Sequence, residues 1–576
     1  MSDSADRAHN LRQVLNLTRG HNKYMERRVD LIASNAWISQ FVRLTMASSL
    51  PNNYSIGLPG NRLYGGCSYI DMLEREVNRL ALTLFPMQHV VVQFLSGMQA
   101  NIGAYNAVLN KGDTVVSAQT KHGGHYSHGP AGPLSFFEPR IVPVPFDESR
   151  YNIDLDGLET VFRREHPKLL ITGWSEFLFA HPLAEIRKLC DAHGVYLMFD
   201  ASHVAGLVAG GVFQSDAARY ADIITSSTGK SLHAPDHGML LFNDLTLHPK
   251  ILEAVMPLLT SNTHPQEVAA LGVAFSEMLE FGNDYASQVV KNSKALGNAL
   301  QDEGVKVLYG EHGFSDSHTV LVEYPSPDTA VSLLDRAGIL CNGCELPWDA
   351  PGSATGLRIG TQAITRRGMK EREMQAIAKA TALVLLHGED PDHINFTTVR
   401  PLAEQFKDAA FSFDQDFPFE ENWYNAPYER YKAVTIQDTV GTLIPFADCT
   451  SEQLEIIGKR LERIDVEQST TLFTKGQPSD AVYFISQGAV EVVGEIDGES
   501  KVISRLEEGA HFGEMGVLAA SPRTLSVRAV PNTTLLKMNA REFHQTYWEL
   551  PTVRAYFKRY VSSLQEKDRL RAAQNK

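Results

Sequence analysis

An aspartate and a lysine each follow a strand-like run in the middle of the chain. Asp200 comes directly after the apolar run at 195–199, and Lys230 comes shortly after the β-prone run at 221–227. Short apolar runs bounded by small and polar residues are typical of buried strands in a parallel sheet. Ligands bind at the carboxyl ends of such strands. We therefore expect both side chains to face one crevice.

This pair suits the chemistry of pyridoxal 5′-phosphate (PLP). A lysine can form a Schiff base with this cofactor, and a carboxylate can keep its pyridine nitrogen protonated, so that the ring acts as an electron sink. The alternative is an ordinary buried ion pair between aspartate and lysine, because perturbed charged pairs are often structural. The two residues alone leave both interpretations open.

Length and composition predict a large soluble protein. A chain of 576 residues is too long for one hydrophobic core, so we expect two or three domains. Its 43% hydrophobic and 21% charged residues are typical of soluble proteins. The net charge of −15 argues against general binding to nucleic acids or anionic membranes. Residues 1–13 lack the apolar segment of a signal peptide, and no apolar run is long enough to span a bilayer.

The cysteines indicate a reducing compartment, and we predict a cytoplasmic protein. There are five of them, an odd number, and they are widely spread along the chain. Cys341 and Cys344 form a CxxC pattern, but the sequence has no second pair at metal-binding spacing, so no zinc site is predicted.

A longer pattern surrounds Asp200 and Lys230. Residues 200–210 read DASHVAGLVAG, and residues 225–230 read TSSTGK. This pattern resembles the core of serine hydroxymethyltransferases, which are PLP enzymes of fold type I, and the resemblance extends over about the first 390 residues. It implies an α/β fold with a mostly parallel sheet, flanking helices and a small α+β C-terminal subdomain. By the same resemblance Lys230 holds PLP, Asp200 fixes the pyridine nitrogen, and His203 lies beside the cofactor.

Three more segments match positions that bind the cofactor in that family. Ser96, Gly97 and Met98 match a phosphate-binding turn, since a Ser-Gly turn before a helix offers N–H groups to an anion; alone, such a turn is most often only a helix cap. His125, in the segment GGHYSHG, matches a histidine that stacks on the PLP ring. Metal binding is the alternative for this segment, but its flexible glycines do not force one ligand face. Ser175 matches a serine near the phenolic oxygen of PLP, with a plain strand-end cap as the alternative.

The resemblance also implies a site for the carboxylate of an α-amino acid. Arg358 matches an arginine that grips this carboxylate, and a planar guanidinium can pair with it through two hydrogen bonds. Ser34 matches a serine that helps to bind it. Tyr54 and Tyr64 match two active-site tyrosines, the first assigned to the cofactor and the second to the substrate, on a loop partly donated to the neighbouring subunit. We therefore expect a homodimer or homotetramer. The predicted catalytic residues are Lys230, Tyr64 and His125.

Two positions depart from the family pattern where proton transfer is concerned. Ile56 stands in place of a loop glutamate that serves the folate-linked one-carbon step, and Asn35 replaces a second glutamate. Isoleucine cannot transfer a proton, and a positioned acid or base contributes roughly 10²–10⁴ in rate. We therefore predict folate-independent aldol or transaldol chemistry on a glycine- or threonine-like substrate.

Other departures concern the cofactor and the substrate. Asp236 replaces an arginine and so reverses a charge in or near the pocket, while Met98 replaces a serine and Gly229 a histidine. Residues 261–267 and 275–298 look more like threonine transaldolases, a branch of the same superfamily. The substrate preference of the family is therefore not carried over.

The last third of the chain contains a second pattern. Residues 472–492 alternate apolar and polar residues between glycines, as strands joined by turns do. The segments GAHFGEMG at 509–516 and PRT at 522–524 resemble the phosphate-binding cassette of a cyclic nucleotide-binding domain, which is a β-roll. A β-roll kept only for packing or interaction is the alternative.

The resemblance assigns four residues of this cassette to a cyclic nucleotide. Arg523 holds the cyclic phosphate, Glu514 accepts a hydrogen bond from the ribose, and Gly513 allows close approach. Thr524 is the residue type associated with cyclic GMP. The predicted domains are a PLP-dependent domain at 1–390, a linker at 391–443, a cyclic nucleotide-binding-like domain at 444–560 and a tail at 561–576.

Three other functions stay open beside the aldol or transaldol hypothesis. An amino-acid racemase or epimerase on the same scaffold needs a proton donor on each face of the substrate, for which Lys230 and Tyr64 are candidates. A folate-dependent serine hydroxymethyltransferase requires tetrahydrofolate. A catalytically inactive PLP domain would leave a cyclic-nucleotide sensor. The predicted partners are an amino acid substrate and a cyclic nucleotide effector, cAMP or cGMP, with no nucleic acid and no membrane.

Overall fold

The structure is a computed structural model and describes residues 9–415, 440, 443–446, 449–496 and 499–574. The chain divides into two compact units, Met1–Glu421 and Asn422–Lys576. No helix in the described ranges is long and apolar enough to cross a membrane.

A seven-stranded sheet forms the centre of the first unit. In chain order its strands are β1 (His89–Phe94), β2 (Thr114–Ser117), β3 (Arg140–Pro143), β4 (Leu169–Thr172), β5 (Tyr196–Asp200), β6 (Ile223–Ser227) and β7 (Gly238–Phe242). In space they lie in the order β1, β7, β6, β5, β4, β2, β3. Strand β7 is antiparallel to both neighbours, and all other pairs are parallel. The prediction of an α/β fold with a mostly parallel sheet is confirmed.

Both faces of this sheet are buried, which explains the apolar runs in the sequence. Along β5, Leu197 and Phe199 join one hydrophobic cluster, whereas Met198 joins another, because successive side chains of a strand point to opposite sides. The α-helices described in the first unit are His9–Glu26, Gln40–Met46, Ser68–Leu84, Gly97–Val108, Leu155–Glu165, Leu183–His193, Ala205–Ala209, Ala217–Tyr220, His248–Glu253, Pro265–Asp302, Pro327–Arg336, Gln362–Arg366, Glu371–Leu385, Pro391–Ile394 and Arg400–Ala403.

A small α+β subdomain follows the long helix Pro265–Asp302, as predicted. Its antiparallel sheet has the spatial order Thr319–Glu323, Gly356–Gly360, Asn342–Cys344. Near the start of the chain, Val29–Asp30 pairs in parallel with Ile339–Leu340. This pairing holds the segment that contains Ser34 beside the subdomain that contains Arg358.

The first unit continues past residue 390. Ile394, Val399 and Ala403 are buried in the hydrophobic cluster of the small subdomain. Residues 391–415, which the Pro-rich sequence placed in a linker, therefore include a segment that packs as part of the first unit. The rest of the predicted linker, at 416–439 and 441–442, lies outside the described residues.

An anchored hairpin carries the loop at 54–64. Arg62 is buried and pairs with Asp71 at 2.7 Å and with Glu74 at 2.6 Å. Its guanidinium also donates to the backbone oxygens of Ser55 at 2.7 Å and Gly57 at 2.5 Å. The loop is therefore fixed to the helix that follows it.

Two four-stranded antiparallel sheets form the second unit. One has the spatial order Glu462–Val466, Thr533–Asn539, Ala481–Gln487, His511–Phe512, and the other has the order Thr470–Phe473, Ser526–Ala529, Ala489–Ile496, Glu499–Glu507. Its helices in the described ranges are Ser451–Gly458, Glu514–Leu518, Ala540–Glu549 and Pro551–Gln574. Side chains from both sheets, among them Tyr483 and Val490, form a shared core. The predicted β-roll is confirmed.

Candidate active site

Asp200 is the last residue of β5 and is held by three donors. Its Oδ2 accepts hydrogen bonds from His128 Nε2 at 2.9 Å and from Asn101 Nδ2 at 3.0 Å, and its Oδ1 accepts one from the backbone of Ser202 at 2.9 Å. Burial alone would raise the pKa of Asp200, but the bonds from His128 and Ser202, together with the charge of Lys230, hold this pKa well below its usual range. The carboxylate is therefore ionised, although it is buried.

Lys230 follows β6 and lines the same cavity as Asp200. Within the described residues its ammonium has no hydrogen bond or ion pair. Burial lowers the pKa of Lys230; the charges of Asp200 and Asp236 oppose this effect, and that of Arg358 adds to it. A lysine with a lowered pKa has a larger neutral fraction, which is the nucleophilic form.

The cavity that joins these two residues has a volume of about 770 Å³. Most of the predicted site residues line it, namely Ser34, Ser96, Gly97, Met98, His125, Ser175, Asp200, His203 and Lys230. The structure brings these residues together around one cavity from separate parts of the first unit.

The turn before the helix Gly97–Val108 faces this cavity. Ser96 is the N-cap, and its Oγ accepts a hydrogen bond from the backbone of Gln99 at 3.2 Å. A Cβ atom at Gly97 would lie 2.6 Å from the backbone nitrogen of Ser227, so only glycine fits. The turn therefore lies against β6 at the edge of the cavity. The free N–H groups at the start of its helix can bind an anion there.

His125 lies on another wall of the cavity. Its Nδ1 is 2.7 Å from Ser127 Oγ, and its ring packs at a tilt against Tyr126 with centroids 4.3 Å apart. Burial lowers the pKa of His125 to about 4. A neutral imidazole at pH 7 can stack on an aromatic ligand without charge.

Several buried polar atoms around the cavity have no partner among the described residues. They are Ser175 Oγ, His203 Nδ1 and Asn101 Oδ1. Buried polar groups normally form hydrogen bonds, so unpartnered ones indicate a ligand or water. PLP requires an ionised acid, an available lysine, a turn that binds its phosphate and a neutral ring that can stack on it. The described residues supply each of these groups, so they fit this cofactor.

Arg358 lies near the cavity but is already engaged. Its Nη1 donates to Glu176 Oε1 at 3.0 Å, and its Nε donates to Asn342 Oδ1 at 3.2 Å. The Arg358 and Glu176 side chains are 14% and 9% exposed, so this is a nearly buried ion pair. Its charge lowers the pKa values of Lys230 and His125, which shows that it acts on the site.

Tyr54 and Tyr64 do not line the cavity of their own chain. They are 58% and 46% exposed, and their rings contact each other edge to face with centroids 5.7 Å apart. The anchored loop thus presents two aromatic hydroxyl groups on the surface.

Several residues of this site were not predicted from the sequence, namely Asn101, His128, Glu176 and Ser202. His128 holds Asp200 and is itself 2.5 Å from Tyr105 Oη through Nδ1. It is the second histidine of the segment GGHYSHG, so the motif carried a signal for it. Glu176 gave no such signal, because its contact with Arg358 joins positions far apart in the sequence.

The predicted cassette of the second unit is built around a buried arginine. Arg523 donates to the backbone oxygens of Gly513 at 2.9 Å and Ala481 at 2.6 Å, and its guanidinium lies 4.0 Å above the ring of Phe473. Gly513 has a φ of +88°, and a Cβ atom there would lie 2.5 Å from Arg523 Nη1. The predicted glycine is therefore required by a close approach, although the approaching group is a protein side chain.

The other two cassette residues differ in exposure. Glu514 is buried, and its Oε2 lies 3.2 Å from His511 Nδ1. Thr524 is exposed. The four predicted residues thus lie in one segment of the β-roll, around the start of the helix Glu514–Leu518.

Comparison with known proteins identifies both units. Residues 8–381 match the family model described as serine hydroxymethyltransferase. The chain belongs to the serine hydroxymethyltransferase family. Residues 463–547 match the cyclic nucleotide-binding domain. The predicted class of PLP-dependent enzyme, of the hydroxymethyltransferase or transaldolase type, is confirmed, as is the C-terminal domain.

Individual relatives cover the first unit. The serine hydroxymethyltransferase of Archaeoglobus fulgidus is 39% identical over 408 residues, which cover 70% of this chain and 93% of that protein. That of Methanosphaera stadtmanae is 38% identical over 384 residues, covering 66% and 91%. The crystal structure of L-threonine transaldolase from Pseudomonas fluorescens matches with a TM-score of 0.68 and 28% identity, covering 74% of this chain and 99% of that one.

Proposed function

We propose that this member of the serine hydroxymethyltransferase family acts at Cα of an α-amino acid by folate-independent aldol or transaldol chemistry on a glycine- or threonine-like substrate. The observation that carries the proposal is the cavity lined by both an ionised Asp200 and a Lys230 that has no hydrogen bond or ion pair among the described residues. The likeness to a protein named threonine transaldolase supports the choice of reaction.

Each residue has a role that follows from its position. PLP, when bound, supplies an electron sink for charge that develops at Cα. Lys230 holds the cofactor and moves the proton at Cα, and Asp200 holds a proton on the pyridine nitrogen. His125 stacks on the ring, and the turn that contains Gly97 binds the phosphate.

The substrate is oriented by groups on the side of the small subdomain. Arg358 binds the α-carboxylate, with Ser34 as a second contact. His203 and Ser175, whose polar atoms lack partners among the described residues, complete the cofactor site. Met98 contributes only its backbone to the phosphate turn.

Independence from folate is supported by two positions. Ile56 offers no group that can transfer a proton. Asn35 donates from its amide to Asp30 Oδ2 at 2.9 Å, so this position contributes a donor and not an acid. The proton on the β-hydroxyl group of the substrate must therefore be removed by a group other than a glutamate at position 35 or 56.

The exposed tyrosines support assembly into at least a homodimer. Tyr54 and Tyr64 lie on the surface of a loop whose base is fixed by Arg62. An anchored loop with exposed aromatic hydroxyl groups is suited to enter the cavity of a second copy. Tyr54 would then reach the cofactor of the partner and Tyr64 its substrate.

The second unit is proposed to bind a cyclic nucleotide, cAMP or cGMP, and to regulate the first. Arg523 Nε and Glu514 Oε2 are buried and have no hydrogen-bond partner among the described residues, so both are open to a ligand. Regulation requires that the nucleotide bind two states of the protein with different affinity.

The test is an absorbance titration of the purified full chain with PLP and a panel of amino acids. We expect a visible band of lysine-bound cofactor that is lost in Lys230→Ala, a spectral change with glycine or L-threonine, and release of an aldehyde from L-threonine without tetrahydrofolate. Exchange of the Cα proton in D₂O with racemisation and no aldehyde would instead favour the racemase. A protein that takes up no PLP would overturn the proposal.

A further inference from the structure

Arg358, the arginine assigned to the α-carboxylate of the substrate, already forms an ion pair with Glu176. Arg358 lies on the strand Gly356–Gly360 of the small subdomain, and Glu176 follows β4 in the large sheet. Their contact of 3.0 Å joins the two parts of the first unit beside the cavity. Glu176 comes directly after Ser175, which lines that cavity.

The contact limits how Arg358 can bind a second carboxylate. Its Nε is engaged by Asn342 and its Nη1 by Glu176, so within the described residues only Nη2 has no partner. A planar guanidinium pairs most strongly through two parallel N–H groups. A substrate carboxylate must therefore take over or share a contact that Glu176 or Asn342 now holds.

The surroundings of Glu176 make sharing unfavourable. Besides Arg358, the titratable groups that interact with it among the described residues include Tyr151, Cys344 and Glu345. Arg358 is thus the one cation among them, and two carboxylates on one guanidinium in a buried place repel each other. Burial raises the pKa of Glu176, and Arg358 counteracts this rise. When a substrate carboxylate neutralises Arg358, that opposing influence is lost.

We propose that Glu176 is a specificity-determining residue that competes with the α-carboxylate of the substrate for Arg358 and takes up a proton when the substrate binds. The inference rests on the proposed function and deepens it. It predicts that amino acids bind more weakly than Arg358 alone would allow. It also predicts that their apparent dissociation constant rises with pH, because deprotonation restores the competitor.

Removal of the competing charge should change substrate binding but not the chemical step. Glu176→Gln keeps the size of the side chain and a hydrogen-bonding group but removes the charge. We expect this variant to lower the KM for glycine or L-threonine on the order of tenfold. This is the change expected if repulsion between Glu176 and the substrate carboxylate shifts a pKa by about one unit. The kcat should stay unchanged, because the interaction is lost equally in the ground and transition states.

The experiment is a calorimetric titration of the PLP-loaded full chain with glycine in two buffers of different ionisation enthalpy, together with steady-state kinetics on L-threonine. We expect the wild-type protein to take up nearly one proton more than Glu176→Gln on binding glycine. Glu345→Gln is the matched control. It removes a neighbouring carboxylate that bonds to Thr120 and Gly352 and not to Arg358, so its KM should equal that of the wild type and its proton uptake should stay well above that of Glu176→Gln.

Two results overturn the inference. Equal KM and proton uptake in the wild type and Glu176→Gln would show that the glutamate does not compete. A higher KM in Glu176→Gln would show that it only positions Arg358. The visible band of bound cofactor reports that each variant is folded, and Glu176→Leu provides a second uncharged variant with the same expected fall in KM. Failure of the proposed function looks different, since no amino acid would then change the spectrum of the wild type.

Discussion

Lys230 in the first unit and Arg523 in the second are both cations that sequence patterns assign to ligands, yet their surroundings are opposite. Lys230 has no partner among the described residues and lines a cavity of about 770 Å³. Arg523 donates to two backbone oxygens, lies 3.2 Å from Asp480 and packs on Phe473. In the proposed function the first cation binds a ligand, whereas the second already donates to its own cassette through Nη1 and Nη2. A ligand of the second unit would find Nε without a hydrogen bond among the described residues, and could use the other two nitrogens only by replacing contacts within the protein.

The largest effect is expected on kcat when the negative charge of Asp200 is removed from the first unit. Asp200→Asn keeps the shape of the side chain but cannot hold a proton on the pyridine nitrogen. We expect kcat to fall on the order of 10²–10⁴ with L-threonine. Asp316→Asn is the control, because Asp316 is an exposed partner of Lys294. Retention of wild-type kcat in Asp200→Asn would remove the contrast with the second unit, since the acid would then be structural.

The second effect concerns stability and compares the two cations directly. In Arg523→Met the oxygens of Gly513 and Ala481 lose their donor, so we expect the free energy of unfolding of the second unit to fall by roughly 2–4 kcal/mol. Lys230→Met removes a charge that burial disfavours and that has no ion pair among the described residues, so its stability in the absence of PLP should equal or exceed that of the wild type. Calorimetric unfolding of the full chain measures both. An equal loss of unfolding free energy in the two variants would contradict the proposed difference between the two cations.

Much of the first site followed from the sequence because its residues come at strand ends. Asp200 ends β5, Lys230 follows β6, and the carboxyl ends of parallel strands meet at one edge. The turn at Gly97 was also predictable, since a Ser-Gly pair before a helix is a local signal. These residues are determined by short stretches of chain, which sequence patterns describe well.

Other features depend on contacts between distant segments and were not predictable. The pair of Glu176 and Arg358 joins two elements of different sheets. The backbone partners of Arg523 are the N-cap of a helix, Gly513, and a strand residue, Ala481, so the motif showed the arginine and the glycine but not that they bond to each other. The burial of Ile394, Val399 and Ala403 likewise depends on a subdomain that precedes them in sequence. Such contacts require the folded chain.

The smallest effect tests how the first unit keeps its acid ionised. His128 donates to Asp200 Oδ2, and His128→Phe removes this donor and lets the pKa of Asp200 rise towards its usual value. A protonated Asp200 cannot fix the pyridine nitrogen, so the acid limb of the kcat profile should move to higher pH, while kcat at neutral pH should stay near that of the wild type, because an aspartate with its usual pKa is still ionised there. His128→Gln, which can still donate, should move the acid limb less far. His122→Phe is the control, because His122 stacks on Phe146 and does not contact Asp200. An unchanged acid limb in His128→Phe would mean that Asn101 and Ser202 alone keep the carboxylate ionised, and that the arrangement of the first site depends less on this histidine than its geometry indicates.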